Sequence, residues 1–326
     1  MHGRKNIDAS GDYIYNSKNC RHCYMVNTNE DCKYVFYSSD SKDYYDVFIS
    51  FLANELIYES HAIPKGNYFL RFCELCANGN RFLEYCDSCE SSSYLFGCIG
   101  IRGRKYCILN KQYSQDEYER LREKIIQQMN QKPFIDIKGR VYRYGEFFPV
   151  EMSPFGYNES VAQDYFPLSK EEIAEHRYNW TDIAKHKKTP NATVTAQDLS
   201  DDIRDVDDSI LNEVIECANA KQNSCAGVGA FRITKQELNF YKEHNISLPR
   251  LCPNCRQLAR IKQRNPLQLW HRGCTCAGTI SENKVYQNTI EHFHKTNHCP
   301  NEFETSYAPE RKEIIYCEPC YQAEVA

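Results

Sequence analysis

The chain has 326 residues, 41% of them hydrophobic, with 18 cysteines, 24 tyrosines, a formal net charge of −4 and a pI near 6.2. That apolar content supports folded cores and excludes a disordered tail, and the near-balance of charge excludes an overall pull toward nucleic acid or anionic membrane, so such binding needs a local patch. No apolar run approaches the roughly 20 residues of a membrane helix, and Met1-His2-Gly3-Arg4-Lys5 leads into polar sequence instead of a signal-peptide core, which points to a cytoplasmic protein with no membrane partner.

From Tyr13 to Ile108, apolar or aromatic residues recur in pairs one residue apart: Tyr34/Phe36, Tyr45/Val47, Leu56/Tyr58, Tyr68/Leu70, Leu83/Tyr85, Tyr94/Phe96 and Tyr106/Ile108, mostly 11 or 12 residues from one pair to the next. Each pair reads as a short strand with two side chains on one face. Asn16-Ser17-Lys18-Asn19, Ser38-Ser39-Asp40-Ser41, Asn78-Gly79-Asn80 and Ser91-Ser92-Ser93 supply turn chemistry between them. The even period predicts a β-solenoid-like repeat domain over residues 1–112, built of short parallel strands with Tyr34, Leu56, Leu83 and Tyr94 inward. The alternative is an ordinary antiparallel β domain.

Ser114-Gln115-Asp116-Glu117 is a capping box, and helical spacing continues through Met129, so the repeat ends here under a capping helix. With the Phe-, Tyr-, Pro- and Gly-rich covering segment that follows, and a second capping box from Ser169 to Glu172, this makes a region 113–180. Residues 181–212 form an acidic polar linker. Asp198 to Glu216 carries eight acids against Arg204 and reads as a solvated hinge and the acidic start of a helix ending near Cys217. Residues 213–326 then form a double zinc-ribbon or treble-clef-like module, which makes the fold class mainly β with α.

Cysteines in a reducing compartment are thiols and thiolates rather than disulfides. About one C-x-x-C pair is expected by chance in such a chain, and five are present: Cys20/Cys23, Cys73/Cys76, Cys86/Cys89, Cys252/Cys255 and Cys317/Cys320. Two thiolates three apart can grip one tetrahedral zinc, and a second pair closes the shell. Cys217 and Cys225 with Cys252 and Cys255 flank a small β and helix unit that includes Phe231-Arg232-Ile233-Thr234 and a capped helix from Gln236 to about His244; they make one candidate site, against the alternative that Cys217 and Cys225 are buried helix cysteines. Cys317 and Cys320 make the second with two of Cys274, Cys276 and Cys299, His298 being the reserve. Cys274-Thr275-Cys276 is too close-spaced for an ordinary knuckle, so one of its cysteines is expected to ligate and the other to be a spectator. His292, His294 and His298 read as a surface cluster rather than a further metal site. Cys73, Cys76, Cys86 and Cys89 also have zinc spacing, but Cys98 and Cys107 continue the same rhythm, which favours stacked buried thiols. The metal content expected is two Zn2+ ions, or three if that group is a site.

Lys18-Asn19-Cys20 with Cys23-Tyr24, the run from Phe96 to Lys111, Gly145-Glu146-Phe147-Phe148-Pro149, Cys252-Pro253-Asn254-Cys255-Arg256 and Tyr316-Cys317-Glu318-Pro319-Cys320-Tyr321 together resemble a family of uncharacterised zinc-ribbon proteins from metagenome-derived, candidate-phyla bacteria and large phages. The resemblance covers nearly the whole chain. It implies a solenoid-like repeat with zinc modules and brings no catalytic residues. Larger relatives look as though they carry a further zinc module before the repeat, so this chain is expected to be a shortened member or a fragment.

Three function classes follow. The first is a non-enzymatic zinc-binding module that contacts nucleic acid: Arg250, Arg256, Arg260, Lys262, Arg264 and Arg272 occur without an intervening acid, beside a zinc knuckle and Trp270, a combination suited to phosphate contacts and base stacking. The bland alternative is a solvated basic face. The second is a protein-docking or structural rod, phage particles included, with a protein as partner. A zinc enzyme is the third, and the motifs speak against it, because His61-Ala62-Ile63 lacks the Glu of a deaminase and no H-E-x-x-H occurs.

Overall fold

The structure is a computed structural model that describes residues 3–182, 191–220, 225–276, 288–295, 299–311 and 313–325. Chain contacts divide it into two compact units, residues 1–152 with 265–326, and residues 153–264. The boundary at 264/265 falls inside the stretch 213–326 that the cysteine pattern groups together.

The first unit begins with a β-solenoid of about nine turns. Its rule is a triplet. Buried residues recur at Cys20, Cys23, Val26, Asn29, Cys32 and Val35, and the residue before each of Cys23, Val26, Asn29, Cys32 and Val35 has positive φ: His22, Met25, Thr28, Asp31 and Tyr34. Two extended residues followed by one left-handed residue turn the chain through about a quarter circle, so four triplets close a coil. Asn and Asp, which tolerate this conformation, fill corners 16, 19, 31, 40, 43, 46, 78 and 110, while bulky Tyr34, Phe69, Phe82 and Tyr94 fill others at a steric cost. Successive coils pair in parallel with Ile7 opposite Lys18, Leu83 opposite Leu95 and Tyr68 opposite Arg81, offsets of 11, 12 and 13 residues.

Inward residues form four columns, and three of them are largely apolar: in one, Ile57, Leu70, Leu83, Leu95 and Cys107 follow each other in register. The fourth is a polar ladder. Asn6, Ser17, Asn54, Asn67, Asn80 and Ser92 each accept, through the side-chain oxygen, the backbone N–H of a residue one coil on: Ser17, Asn29, Asn67, Asn80, Ser92 and Arg104 are the respective donors. The ladder also registers coil length. Asn54, Asn67 and Asn80 follow an extra corner residue, and their amides donate to the carbonyls of Phe51, Pro64 and Ala77, three residues back, at 2.9, 3.3 and 2.8 Å. Where no residue is added, Ser17, Ser41 and Ser92 reach the carbonyl two residues back at 2.8, 3.0 and 2.8 Å. Asn29 sits in a coil without the extra residue, and both polar atoms of its buried amide lack partners. In the first full coil one residue is missing at Gly11, where a Cβ would lie 1.8 Å from the Cys23 carbonyl oxygen.

Parallel coils bear out the solenoid, but the inward set differs from the sequence reading. Leu83 is fully buried, whereas Tyr34 is 49% and Tyr94 36% exposed and Leu56 is half-buried. These three occupy left-handed corners. A strand's alternation carries i and i+2 to one face, whereas this triplet carries i and i+3 inward, so the middle residue of a flanked triplet, such as Val35 or Leu95, is the core residue. The corner aromatics instead stack outside: Phe69, Phe82, Tyr94 and Tyr106 follow each other with ring centroids 5.2, 4.9 and 5.1 Å apart.

Helix α1, Gln115–Gln131, starts at the capping box of Ser114 and Glu117 as its sequence predicts. It lies along the solenoid flank, where its Tyr118, Leu121, Ile125 and Met129 meet Phe72, Tyr85, Phe96 and Ile108 from four coils. Buried Glu84 anchors this packing by accepting bonds from Arg122 and from the Tyr144 hydroxyl. Residues 144–148 cover the same flank, with the Phe147 N–H donating to Glu59 at 2.8 Å. Later in the same unit an antiparallel pair, Trp270–Gly273 with Glu302–Thr305, packs near the first coils, where the Ser306 hydroxyl donates to buried Asp12.

The second unit opens with helices α2, Val161–Tyr165, and α3, Lys170–Glu175, the latter capped by Ser169 and Glu172. The acidic stretch forms no α-helix before Cys217. Asp202 and Asp207 accept the backbone N–H groups of Arg204 and Ser209, at 2.9 and 2.7 Å, and open two short 3-10 turns. Such local side-chain bonds compete with helix. Leu199, Ile203 and Ile210 of this stretch are core residues of the unit. Strand Ile215–Glu216 then pairs antiparallel with Ala230–Phe231, followed by α4, Lys235–Glu243, capped by Thr234 and Glu237, and α5, Pro253–Ile261. In the first unit, α6, Glu318–Val325, ends the described chain. No described helix is long and apolar enough to cross a membrane.

Candidate metal centres

In the second unit, Cys217 follows strand Ile215–Glu216 directly, and Cys252 caps α5, which puts Cys255 in its first turn. Pro253 at the first helical position needs no N–H partner. The helix therefore aims its positive end at two sulfurs, which favours thiolates. Cys225 Sγ lies 3.7 Å from both Cys252 Sγ and Cys255 Sγ, and Cys217 lies 3.8 Å from Cys255. All four sulfurs are within 4.8 Å of one another. These separations exclude disulfides, whose sulfurs sit about 2.05 Å apart. They match the edge, about 3.8 Å, of a tetrahedron with metal–sulfur bonds of about 2.3 Å. Backbone N–H groups of Cys252 and Ala226 donate to the sulfurs of Cys217 and Cys255 at 3.3 and 3.2 Å. Burial pushes the Cys252 thiol up to about 12. For Cys255 burial also works upward, but the Ala226 N–H and the neighbouring thiols outweigh it and its pKa falls.

The first unit repeats the design. Cys274 follows strand Trp270–Gly273, Cys299 precedes its partner strand, Cys317 immediately precedes α6 and Cys320 lies in that helix's first turn. Cys299 Sγ is 3.7 Å from the sulfurs of both Cys317 and Cys320, and the four sulfurs lie within 4.8 Å of one another. The Cys317 N–H donates to Cys274 Sγ at 3.2 Å, and the Asn301 amide donates to Cys317 Sγ at 3.3 Å. Burial raises the Cys274 thiol to about 12.

Of the close-spaced pair, Cys274 joins the four-sulfur cluster. Cys276 is no spectator in the geometry. It groups with His292, His294 and Cys320, ligand atoms again within 4.8 Å of one another. His292 is 3% exposed, so the expectation of a surface histidine cluster fails there. Residues 288–295 are not helical, and His298 lies outside the described residues. Sequence reasoning missed Glu324, which receives the His292 Nε2 hydrogen bond at 2.7 Å. The available signal was its position four residues after Cys320, on the same face of a helix.

Among the described residues, the groups that bring three or more such ligand atoms within 4.8 Å of one another are these three, and none takes Cys73, Cys76, Cys86 or Cys89. Those four thiols are inward solenoid residues that donate to backbone carbonyls of Arg71, Cys86, Glu84 and Asp87, at 3.2 to 3.5 Å. Their C-x-x-C spacing is the triplet period itself, and the favoured reading as stacked buried thiols describes their packing.

The basic stretch is divided between the units. Arg250 donates to the carbonyls of Ala196 and Leu199 at 3.1 and 2.9 Å and pairs with Asp201 at 2.9 Å. Arg256 donates to the Tyr241 hydroxyl at 3.2 Å. Arg272 donates to the carbonyls of Tyr307 and Ala308 at 3.2 and 2.9 Å, and Trp270 is half-buried. Arg260 and Lys262 are exposed, as is Arg264, whose guanidinium bonds the Tyr165 hydroxyl at 3.2 Å. Comparison with known proteins returns no matching family model, no matching curated protein and no matching solved structure.

Proposed function

We propose that the protein is a zinc-binding, non-enzymatic binding module, with one zinc held by Cys217, Cys225, Cys252 and Cys255 and another by Cys274, Cys299, Cys317 and Cys320. The observation that carries the reading is the pair of four-sulfur clusters with tetrahedral edge lengths of 3.7 and 3.8 Å. Four protein thiolates leave no position for water or substrate, which suits a structural ion. Native mass spectrometry of freshly purified protein tests it: at least two zinc ions per chain are expected, and none or one defeats it. A tetrahedral sulfur site also suits iron, which visible absorption would reveal. Kinship with the zinc-ribbon proteins of candidate-phyla bacteria and large phages is part of this proposal and rests on the sequence motifs alone.

The binding partner in this reading is a nucleic acid, met through the exposed residues Arg260, Lys262 and Arg264 at and beyond the end of α5. Arg250, Arg256 and Arg272 serve the fold, because they are half-buried and bonded to the chain's own oxygens, whereas Arg264 stays exposed beside Tyr165. Replacing Arg260, Lys262 and Arg264 together by Gln should weaken single-strand binding and flatten its salt dependence by about 0.7 per lost contact, with zinc content unchanged. A chain that shows no salt-sensitive binding at low ionic strength shifts the reading to a protein-docking rod. One observation favours that second reading: the corner aromatics Phe69, Phe82, Tyr94 and Tyr106 follow each other across successive coils and remain partly exposed beside Tyr118 of α1.

A further inference from the structure

We propose that Cys276, His292, His294 and Cys320 hold a metal ion of their own, zinc by donor chemistry, and that the Cys320 thiolate bridges it to the ion of the adjacent four-cysteine cluster. The inference rests on the zinc reading of that cluster and extends it from one ion to a binuclear centre.

The four ligand atoms lie within 4.8 Å of one another. Cys276, His292 and Cys320 are 1%, 3% and 0% exposed. His294 Nε2 stands 3.4 Å from Cys320 Sγ, near the edge of about 3.5 Å that a tetrahedral site of mixed nitrogen and sulfur ligands has. His292 Nδ1 and Cys276 Sγ are in hydrogen-bond contact at 2.9 Å, shorter than that edge, so this pair would open by about half an ångström on a metal. Two sulfur and two imidazole donors in this arrangement suit zinc.

His292 supplies the independent observation. Its Nε2 lies 2.7 Å from the Glu324 carboxylate, and the two side chains are 0% and 3% exposed. Glu324 is itself held by Thr289, whose N–H and hydroxyl donate to it at 3.1 and 2.7 Å. A carboxylate bonded at Nε2 keeps the proton on that nitrogen and turns the lone pair of Nδ1 toward Cys276. This is how a carboxylate orients a metal-ligating imidazole and raises its basicity. The Asn288 amide also donates to Cys276 Sγ at 3.1 Å and so fixes where that sulfur points.

Cys320 belongs to both clusters, with Cys299 Sγ 3.7 Å away and His294 Nε2 3.4 Å away. Four thiolates around one dication leave an excess of negative charge that a second dication on a shared sulfur reduces. The Cys320 lone pairs suffice for two metal bonds, and no electron transfer is involved.

The test is an ion count on the full chain, reconstituted with Zn2+ and read by native mass spectrometry. Three ions are expected. His292→Ala with His294→Ala should leave two, and Cys252→Ser should also leave two by losing the ion of the other unit. Glu324→Gln, which keeps the fold packed, should weaken one of the three ions by about 10- to 100-fold in chelator competition and leave the others in place. Two ions in the native chain, or three that persist in the double-histidine variant, would overturn the bridged centre while the four-cysteine sites stand. Absence of zinc from the native chain would remove the proposed function as well.

Discussion

The Oδ1 of Asn67 accepts two bonds from Asn80 one coil on, from the backbone N–H at 3.0 Å and from the side-chain amide at 3.1 Å. Asn67 in turn donates its own N–H and amide to Asn54 Oδ1 at 2.6 and 3.1 Å. All three residues are buried, so each link satisfies groups that water cannot reach. Asn67→Ala should leave the Asn80 N–H without its acceptor, while the backbone N–H of residue 67 still serves Asn54, and cost about 2 kcal/mol. An unchanged urea midpoint would show that the ladder contributes nothing.

Asn29 makes the opposite case, because its amide lacks partners in a coil without the extra corner residue. Asn29→Ser should place a hydroxyl where Ser17, Ser41 and Ser92 already reach a carbonyl two residues back. Removing the orphaned amide should stabilise the protein by about 1 kcal/mol. A thermal melt showing loss of stability would count against this account of coil length.

Glu84 is 3% exposed and takes two bonds from Arg122, at 2.5 and 2.8 Å. Arg122→Met would leave that carboxylate in the flank with only the more distant Arg71, 3.8 Å away, and the Tyr144 hydroxyl as partners. Arg122 is about a third exposed, which tempers the loss to about 3 kcal/mol. Glu84→Leu with Arg122→Met should lose less than Arg122→Met alone, as a double-mutant cycle in denaturant would read.

The apolar core of the solenoid contains none of the residues of the three ligand clusters. Chelation should therefore release zinc and open residues 213–326 to protease, because binding energy on the order of 10 kcal/mol is folding energy in such sites. The coils should keep their circular dichroism. Cys73→Ala with Cys86→Ala should leave the zinc count unchanged, and Cys320→Ser should lower it. A lower count in the solenoid variant would place metal among the coils.

The capping boxes at Ser114, Ser169 and Thr234 were legible because their bonds are local. The existence of the solenoid was legible from its period, and its inward face was not. Aromatics flank the core residue on both sides, as Tyr34 and Phe36 flank Val35, and only the left-handed corner decides which one turns in. The same triplet inflated the count of C-x-x-C pairs, since Cys20/Cys23, Cys73/Cys76 and Cys86/Cys89 are neighbouring inward residues. The two remaining pairs open helices and join the four-sulfur clusters. His292 was misread because its partner Glu324 comes 32 residues later and nothing local marks the pairing.

The four columns make the length of this rod a quantity that changes in steps. One added residue is absorbed at the corner just before the polar ladder, as at Gly66 and Gly79, where an asparagine then fills the wider turn. A whole added coil restores every column to its own kind. A shift of one triplet would carry Asn67 or Asn80 into the place of Leu70 or Leu83 and put an amide among leucines. The rod can therefore lengthen or shorten by complete coils, and single-residue changes are confined to places that absorb them, such as the corners before Asn67 and Asn80 or the tight approach at Gly11.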